Sequence, residues 1–279
     1  MGFTPLSIPL LGRDNQPALV VGTTGTSAAD TSLRILCHFE GSNNSTTVTD
    51  SSSYNSSFTC SGGAKITTTY KKFGTSCLDA TVGTVTGPSI TIPSNTPYSI
   101  DFWTYVTIYN SGAVKLGSNS ISLYMDSTGG DPHSVFFYGD RSGSGTLVNS
   151  KYGSMTFAQF KNNWYHLCYL YDQNGVMWTF VNGTLCLRYP RGFYVSSLLS
   201  SGGTLTLSGG IFDELRITIG ANKYYPTPKF TVPSSPYDSL AVTFPSPATQ
   251  GQLWSDGTYV YICTVAGSPG TWRRFTVDS

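Results

Sequence analysis

The stretch NWYHLCYLYDQNGVMWTFVNGTLCLRY, residues 163–189, decides the fold. Two Asn-Gly pairs interrupt it, at Asn174-Gly175 and Asn182-Gly183. Asn-Gly is typical of the type I′ hairpin turn, which needs positive φ at both central positions. The pairs separate three runs rich in aromatic and apolar side chains: Trp164–Tyr171, Val176–Val181 and Thr184–Tyr189. The stretch therefore predicts a three-stranded antiparallel meander.

Short runs of the same kind extend this strand pattern across the chain. Most are bounded by Gly, Asn, Ser or Pro, as is typical of β-sandwiches and barrels. The further predicted strands are Arg34–Phe39, Ala64–Thr69, Ser89–Ile92, Ser99–Tyr109, Ser120–Met125, Ser134–Tyr138, Thr204–Ser208 and Phe212–Ile219. One short helix is predicted at Phe157–Lys161, and glutamate, a good helix former, occurs only at positions 40 and 214. The predicted fold class is all-β, an antiparallel β-sandwich.

Composition divides the 279 residues into three zones. Residues 1–30 hold three prolines and four glycines without an apolar period, which predicts an extended N-terminal arm. Residues 31–236 contain the predicted strands and form the sandwich. Six prolines over 226–250 predict a stiff linker, so that residues 237–279 comprise the rest of this linker and a small hairpin over Leu253–Ser279.

Both ends of the chain carry apolar side chains without a local core to bury them. They are Phe3, Ile8, Leu10 and Leu11 in the arm, and Trp254 and Trp272 in the hairpin. An isolated two-stranded hairpin is only marginally stable, and apolar surface without a core favours an interface. We therefore expect these six residues to contact another subunit, and the low charge of the chain limits repulsion between subunits.

The charge balance is nearly neutral, with 16 basic and 15 acidic residues. Nucleic acid is therefore not an expected partner, because phosphate binding needs a clustered excess of Lys and Arg. No run approaches the ~20 apolar residues of a membrane span, so no membrane partner is expected. The first residues have neither the basic start nor the apolar run of a signal peptide, which predicts assembly in a cytoplasm.

The six cysteines fall into two groups. Inside apolar, strand-like runs lie Cys37, Cys168, Cys186 and Cys263. A free cysteine behaves as a small buried hydrophobe, and a chain without an export signal is not expected to form disulfides. These four are predicted to be reduced core thiols, whereas the sequence leaves Cys60 and Cys77 open.

Several segments resemble the laminin G-like, concanavalin A-like jelly roll, over roughly residues 33–232. They are LCHFEG (36–41), Asp50-Ser51, KFGTSCL (72–78), YSIDFW (98–103), NWYHL (163–167), YDQNG (171–175), FVNGT (180–184) and FDELRIT (212–218). Their order and spacing carry the resemblance, since each is short. It implies two antiparallel sheets packed face to face.

Two segments near the C-terminus are similar to modules of tailed-bacteriophage virion proteins. They are GANKYYPTPKF (220–230) and WSDGTYVYIC…TWRRF (254–263 and 271–275). The resemblance implies a structural protein on the virion surface, assembled in the host cytoplasm and docked on other virion proteins. It also implies a symmetric homotrimer, because the phage-surface modules it resembles gather around three-fold axes. It would be a capsid cement or decoration protein, or a short tail fibre or tip, since a long shaft would show heptads or repeats. The alternative is a carbohydrate-binding lectin module that recognises host cell-surface glycans.

Related sandwiches include glycosidases, but the chain is not expected to be an enzyme. Glycoside hydrolysis needs two carboxyl groups about 5–9.5 Å apart, whereas Glu40 and Glu214 lie far apart in the sequence. Asp213 and Glu214 are neighbours on one strand, so their side chains are expected on opposite faces. The role predicted for either is to anchor the edge of the sheet by hydrogen bonds.

The three histidines do not indicate a catalytic or metal site. His38 and His166 lie in apolar strand runs and are predicted to pack, whereas His133 follows Asp131 and Pro132 in a predicted surface loop. A zinc site needs three or four converging ligands at characteristic spacing, and no His/Cys pair shows it.

Two kinds of ligand remain as candidates. Laminin G-like domains often carry calcium, and the resemblance makes Asp126, Asp131 and Asp140 candidate ligands in loops. Glycan binding needs exposed aromatic side chains to stack on sugar faces, and the predicted candidates are Tyr152, Tyr224 and Tyr225. Loop aspartates exposed to water and aromatics buried in the core are the simpler interpretations of both sets.

Overall fold

A computed structural model describes residues 32–117, 119–125, 133–140, 147–172, 174–189, 203–220, 229–237, 250, 253–255, 260–265 and 271–275. The chain divides into two compact units. Thr31–Ser239 form one unit, and the other contains the C-terminal strands.

Two antiparallel sheets form the first unit. The strands of the eight-stranded sheet are β1 (Leu33–Cys37), β3 (Lys65–Thr67), β4 (Cys77–Asp79), β6 (Tyr98–Val106), β11 (Asn163–Tyr171), β12 (Met177–Val181), β13 (Thr184–Tyr189) and β15 (Ile211–Ile219). The strands of the seven-stranded sheet are β2 (Thr59–Ser61), β5 (Thr84–Ile90), β7 (Ala113–Leu116), β8 (Asn119–Met125), β9 (His133–Asp140), β10 (Leu147–Met155) and β14 (Gly203–Ser208). The predicted antiparallel β-sandwich is confirmed.

Strand order explains how distant parts of the sequence meet. The eight-stranded sheet runs β13-β12-β11-β6-β15-β4-β3, and β1 also pairs with β15. The seven-stranded sheet runs β10-β9-β8-β7-β14-β5-β2. Strand β15 is therefore central although it comes late in the chain, and its contacts bring residues more than 100 positions apart into register.

The main core lies between the two sheets, because apolar side chains of both alternate toward the interior. Phe102 and Phe212 from the eight-stranded sheet and Leu205 and Leu207 from the seven-stranded sheet belong to it, and each is fully buried. Two smaller clusters, around Phe180 and around Trp103, lie outside this core. The outer face of the eight-stranded sheet therefore has buried side chains of its own.

The meander predicted over residues 163–189 is confirmed, because β11, β12 and β13 pair in sequence. Asn182 and Gly183 have φ of 48° and 72°, as a type I′ turn requires. The turn at Asn174-Gly175 differs: Gly175 has φ 75° but Asn174 is not in the positive region. Asp172 changes this turn, because its Oδ1 accepts hydrogen bonds from the N–H groups of Asn174 and Val176.

The predicted short helix is also confirmed as α1 (Phe157–Phe160). A capping box fixes its start: the Thr156 hydroxyl accepts from the Gln159 N–H, and the Gln159 side chain accepts from the Thr156 N–H. Four strands were not predicted, namely β2, β4, β7 and β10. Three of them have only three or four residues, too few to show an alternating pattern, and β10 (LVNSKYGSM) is largely polar.

The C-terminal prediction needs a correction. The unit contains three antiparallel strands rather than a two-stranded hairpin: β16 (Leu253–Ser255), β17 (Val260–Val265) and β18 (Thr271–Phe275). The additional pair is β16 with β17, on either side of Asp256-Gly257, which is itself a hairpin-turn sequence. A third strand removes the argument that this element is too small to be stable.

The cysteines that the structure describes are unpaired thiols. Cys37 and Cys168 are buried as predicted, whereas Cys186 is only partly buried. Of the two left open, Cys77 is buried and Cys60 partly buried. The predicted buried thiols are therefore confirmed at Cys37 and Cys168, whereas the Cys186 thiol forms no disulfide but is only partly buried. The fourth, Cys263, lies in β17.

No helix in the described part of the chain is long and apolar enough to cross a membrane.

Candidate functional site

The outer face of the eight-stranded sheet carries an unusual set of large side chains. On β6, Ile100 and Phe102 face the core between the sheets, so that Trp103 and Tyr105 alternate with them toward the outside. On β11, Tyr165 faces the interior, so its neighbour Trp164 faces outward. Strands β6 and β11 pair directly, and these outward residues are therefore neighbours.

Tyr105 and Trp164 form a continuous contact with a third aromatic side chain, Tyr70, from the segment between β3 and β4. We call Tyr70, Tyr105 and Trp164 the aromatic row. The ring centroids of Tyr70 and Tyr105 are 4.9 Å apart, and those of Tyr105 and Trp164 are 5.4 Å apart. All three side chains are partly exposed. The row thus presents aromatic surface to solvent in a fixed arrangement.

Residues 72 and 73 pack over Trp103, at one end of the aromatic row. The Phe73 ring meets Trp103 edge-on at 5.8 Å, and Lys72 Nζ lies 4.0 Å from the Trp103 ring centroid. Asp213 Oδ2 accepts hydrogen bonds of 2.7 and 3.1 Å from the N–H groups of Lys72 and Phe73. Partial burial lowers the pKa of Lys72, and the Asp213 carboxyl opposes this. A buried carboxyl therefore fixes the backbone that carries Tyr70.

A buried ion pair lies beside Trp103. Arg216 Nε and Nη2 donate to Asp101 Oδ1 and Oδ2, at 3.1 and 2.8 Å, and His166 Nε2 is 3.3 Å from Asp101 Oδ2. Burial alone would raise the pKa of Asp101, but the Arg216 guanidinium and the His166 imidazole hold that pKa well below its usual value. Burial lowers the pKa of His166, against the pull of Asp101. Arg216 thus binds both oxygens of Asp101 through charge-assisted hydrogen bonds, an arrangement that suits structural support.

A second carboxylate, Glu214, organises the region next to it. His38 Nδ1 lies 3.0 and 2.9 Å from Glu214 Oε1 and Oε2, and the Tyr237 N–H donates to Oε2 at 2.8 Å. The hydrogen bond to Glu214 raises the pKa of His38, although partial burial opposes it. His38 is half-buried and His166 fully buried, so the prediction that both pack is confirmed.

The expectation that Asp213 and Glu214 point to opposite faces is wrong. Glu214 has φ 51°, and the register of β15 with β6 shifts between Asp213 and Arg216, which marks a β-bulge. Phe212 and Leu215 both face the interior. Asp213 and Glu214, the two residues between them in the sequence, therefore both point to the outer face of the sheet. The two carboxylates anchor neighbouring loops by hydrogen bonds, as expected of them, but in the middle of the sheet rather than at its edge.

Residues 229–237, the return segment, pack on the same outer face. The Phe230 N–H donates to the Gly183 carbonyl at 3.0 Å, and the Phe230 ring meets Phe180 edge-on at 5.0 Å. Tyr237 is buried, with the Arg216 guanidinium 4.1 Å from its ring centroid and its hydroxyl 3.0 Å from His166 Nε2. The predicted linker over 226–250 therefore needs a correction for these residues, since their aromatic side chains bind them to the sheet.

The structure places the remaining predicted residues as follows. Glu40 accepts hydrogen bonds from the Thr75 N–H and hydroxyl, which gives it a structural role in a loop. Tyr152 is partly buried against the main core, which disfavours it as a glycan contact. His133 begins β9 instead of lying in a loop, and Asp140 ends the same strand. Outside the described residues lie Phe3, Ile8, Leu10, Leu11, Asp126, Asp131, Tyr224 and Tyr225.

Two further predicted residues, Trp254 and Trp272, lie in β16 and β18. Within the described ranges, no group of three or more His, Cys, Asp or Glu side chains is arranged to hold a metal ion. Calcium binding at the predicted loops stays a prediction.

Sequence reasoning missed the aromatic row. A signal was present in YSIDFWTYV, residues 98–106, where Trp103 and Tyr105 alternate with Phe102 and Val106. A strand with large side chains on both faces has neither face simply exposed to water. Tyr70 could not be placed from the sequence, because it lies 35 positions before Tyr105 in a segment without strand pattern.

No protein-family model matches the chain, and no curated protein is similar to it in sequence. Among solved structures, it is similar to the binding domain of Paraclostridial Mosquitocidal Protein 1, with 15% identity and a TM-score of 0.48 over 67% of this chain. It is also similar to the binding domain of botulinum neurotoxin serotype D, with 10% identity and a TM-score of 0.48 over 67% of this chain. The chain covers 48% of each of these structures, about half their length.

Proposed function

We propose that this chain is a non-catalytic carbohydrate-binding module, which recognises a glycan through the aromatic row. The observation that carries the proposal is the contact between three partly exposed rings, Tyr70, Tyr105 and Trp164, on one face of a sheet. The C–H groups on one face of a sugar ring carry partial positive charge, and aromatic faces carry partial negative charge. Stacking of the two buries apolar area and still leaves the sugar hydroxyls free to hydrogen-bond.

A polar group beside the row suits this role. Lys72 lies over Trp103 on the same outer face of the sheet, and its ammonium group can donate hydrogen bonds to a ligand stacked on the row. A ligand site of few polar groups around aromatic surface is the usual composition of small-molecule sites.

The row is also fixed before any ligand arrives. Asp213 holds the backbone at Lys72 and Phe73, and β6 and β11 hold Tyr105 and Trp164 through their paired backbones. Binding then costs little side-chain entropy, because the rings do not need to be ordered.

The experiment is a glycan array on the purified protein, followed by calorimetric titration of the best ligand. Trp164→Ala and Tyr105→Ala should each weaken binding by roughly tenfold or more, because each removes a ring on which the sugar stacks. A tenfold change in Kd corresponds to about 1.4 kcal/mol of binding free energy. The matched control is Tyr54→Ala, an exposed tyrosine that contacts Arg34 outside the row. An array without signal would refute the proposal, and so would row variants that bind as tightly as the control.

On the resemblance to bacteriophage modules we further propose that the module resides on a virion surface. Two features support this: the segments 220–230 and 254–275 that carry the resemblance, and the low charge of the chain. The subunit contacts would be made by Phe3, Ile8, Leu10 and Leu11 and by Trp254 and Trp272, in a homotrimer assembled in the host cytoplasm. Such a protein would either decorate the capsid as a cement protein or form a short tail fibre or tip.

Deletion of residues 1–25 tests this second proposal. The sandwich should still fold, because all its described strands begin after residue 32. Incorporation into particles should be lost, as measured by mass spectrometry of purified virions. Unchanged incorporation would contradict a docking role of the arm, and particles that never contain the full chain would contradict the virion proposal.

A further inference from the structure

A cluster of tyrosines lies inside the sandwich, separate from the aromatic row. Tyr98, Tyr169 and Tyr171 face the interior from β6 and β11. The Tyr98 ring stacks on Tyr169 at 6.0 Å and on Tyr171 at 5.6 Å, with interplanar angles of 15° and 22°. Thr179 on β12 lies directly opposite Tyr169 and is fully buried. Hydroxyl-bearing side chains of three adjacent strands therefore point into one part of the core.

Three of these hydroxyls lack a hydrogen-bond partner. The oxygens of Tyr98, Tyr169 and Thr179 are buried, and no group in the described part of the chain is in hydrogen-bonding position to any of them. After burial, a side-chain hydrogen-bond interaction between the two phenols contributes to the pKa of each, raising that of Tyr98 and opposing the rise for Tyr169. The two oxygens are therefore close to each other, but they do not reach the distance and angles of a direct hydrogen bond.

Such a group of unpaired hydroxyls is rare in folded proteins, where nearly all buried polar atoms find a protein or water partner. Ionisation does not relieve it. Burial raises the pKa of Tyr98 and of Tyr169 well above the usual value, so both stay protonated near neutral pH. Each hydroxyl keeps one hydrogen to donate and lone pairs to accept, as does Thr179.

We propose that Tyr98, Tyr169 and Thr179 form an interior site that holds a water molecule shared by the three hydroxyls. A buried water typically makes about three hydrogen bonds to otherwise unsatisfied groups, which matches the number of groups here. Water both donates and accepts, so it satisfies any combination of hydroxyl orientations. The site lies where β6, β11 and β12 run side by side, and a shared water links all three strands at that point.

The test compares Tyr169→Phe, Tyr98→Phe and Thr179→Val with Tyr171→Phe by thermal unfolding. Tyr171 is the matched control, because it stacks in the same cluster but its hydroxyl is not one of the unpaired three. If a water is bound, each of the first three changes removes one of its partners, and Tm should fall by about 2–4 °C. The control should leave Tm unchanged.

The sign of the change decides between a bound water and a dry site. In a dry site, Tyr169→Phe removes a buried hydroxyl that gains nothing from folding, and Tm should rise. A Tm that rises or stays unchanged in the three variants would overturn the proposal.

A double-mutant cycle tests whether one molecule serves all three groups. The combined Tyr169→Phe, Thr179→Val variant should lose less Tm than the sum of the single changes, because the water is already lost after the first. Simple addition of the two losses would overturn the shared site. A high-resolution crystal structure should show one density peak within about 3.2 Å of all three oxygens, and its absence would also overturn the proposal.

Discussion

The Nε2 atom of His166 lies 3.0 Å from the hydroxyl oxygen of Tyr237. This contact joins the centre of the eight-stranded sheet to the end of the return segment, 71 positions later in the chain. Both residues are buried, and Tyr237 also donates its N–H to Glu214. The end of the first unit is therefore fixed by side-chain and backbone hydrogen bonds together.

Substitutions of Tyr237 should separate these contributions. Tyr237→Phe removes only the hydroxyl, and the free energy of unfolding should fall by about 1 kcal/mol. Tyr237→Ala also removes the ring from beneath Arg216, and the loss should be about 3–5 kcal/mol, as for other buried aromatics. Urea unfolding measures both. Equal losses for the two variants would mean that the ring packing contributes nothing.

Stability should depend on the protonation of Asp213. Burial raises the pKa of this carboxyl to about 7, against the hydrogen bonds from Lys72 and Phe73 N–H, whereas the unfolded carboxyl titrates near pH 4. Between these values folding takes up a proton, so this group makes the protein less stable as pH rises from about 4 to about 7.

Asp213→Asn keeps an oxygen that accepts from Lys72 and Phe73 but cannot ionise. Relative to this variant, the natural protein should lose about 3–4 kcal/mol over that pH range, as measured by urea unfolding at each pH. His38 and the other titrating groups are present in both proteins, and Asp213 is only a minor cause of the raised pKa of His38, so most of the difference comes from Asp213 itself. Parallel pH curves would show that the carboxyl is already ionised in the folded state at low pH.

Gly183 should be more sensitive to substitution than Gly220. Both have positive φ, 72° and 92°, so alanine strains the backbone at either position. At Gly183 a Cβ would overlap the Phe230 carbonyl oxygen, whereas none of the described residues lies within 4 Å of a Cβ at Gly220. Gly220→Ala should cost about 1 kcal/mol and Gly183→Ala clearly more, with the return segment displaced.

Thermal unfolding gives the costs, and limited proteolysis near Phe230 reports the displacement. Faster cleavage in Gly183→Ala but not in Gly220→Ala is the expected pattern, and the same rate in both would contradict the contact.

Thiol reactivity should follow burial. Cys60 and Cys186 are partly buried and should be alkylated first in the native protein. Cys37 and Cys168 are fully buried, and burial raises the pKa of both thiols well above the usual value, so they should react only when the protein unfolds. Peptide mapping by mass spectrometry after timed alkylation distinguishes the two groups. Modification of Cys168 as fast as Cys186 would contradict the packing around Phe180.

The sequence by itself determined the elements whose signals are local. Three such signals each lie within a few residues: the Asn182-Gly183 turn, the alternation of Leu167, Tyr169 and Tyr171 with their neighbours, and the capping box at Thr156. The meander and the short helix could therefore be predicted. The all-β class follows from the same short-range patterns.

Only the tertiary structure decided what covers the outer face of the eight-stranded sheet. Arg216 donates a hydrogen bond to Asp101, 115 positions earlier in the sequence. The Tyr70 ring contacts Tyr105 of β6, although Tyr70 lies outside that strand. The β-bulge at Glu214 depends on pairing with β6, and it reverses the direction that alternation predicts for one side chain. Contacts of this kind arise from which strands become neighbours. Strand pairing depends on the fit of whole surfaces rather than on any residue pattern within one strand, and for this reason the candidate site could not be predicted from the sequence alone.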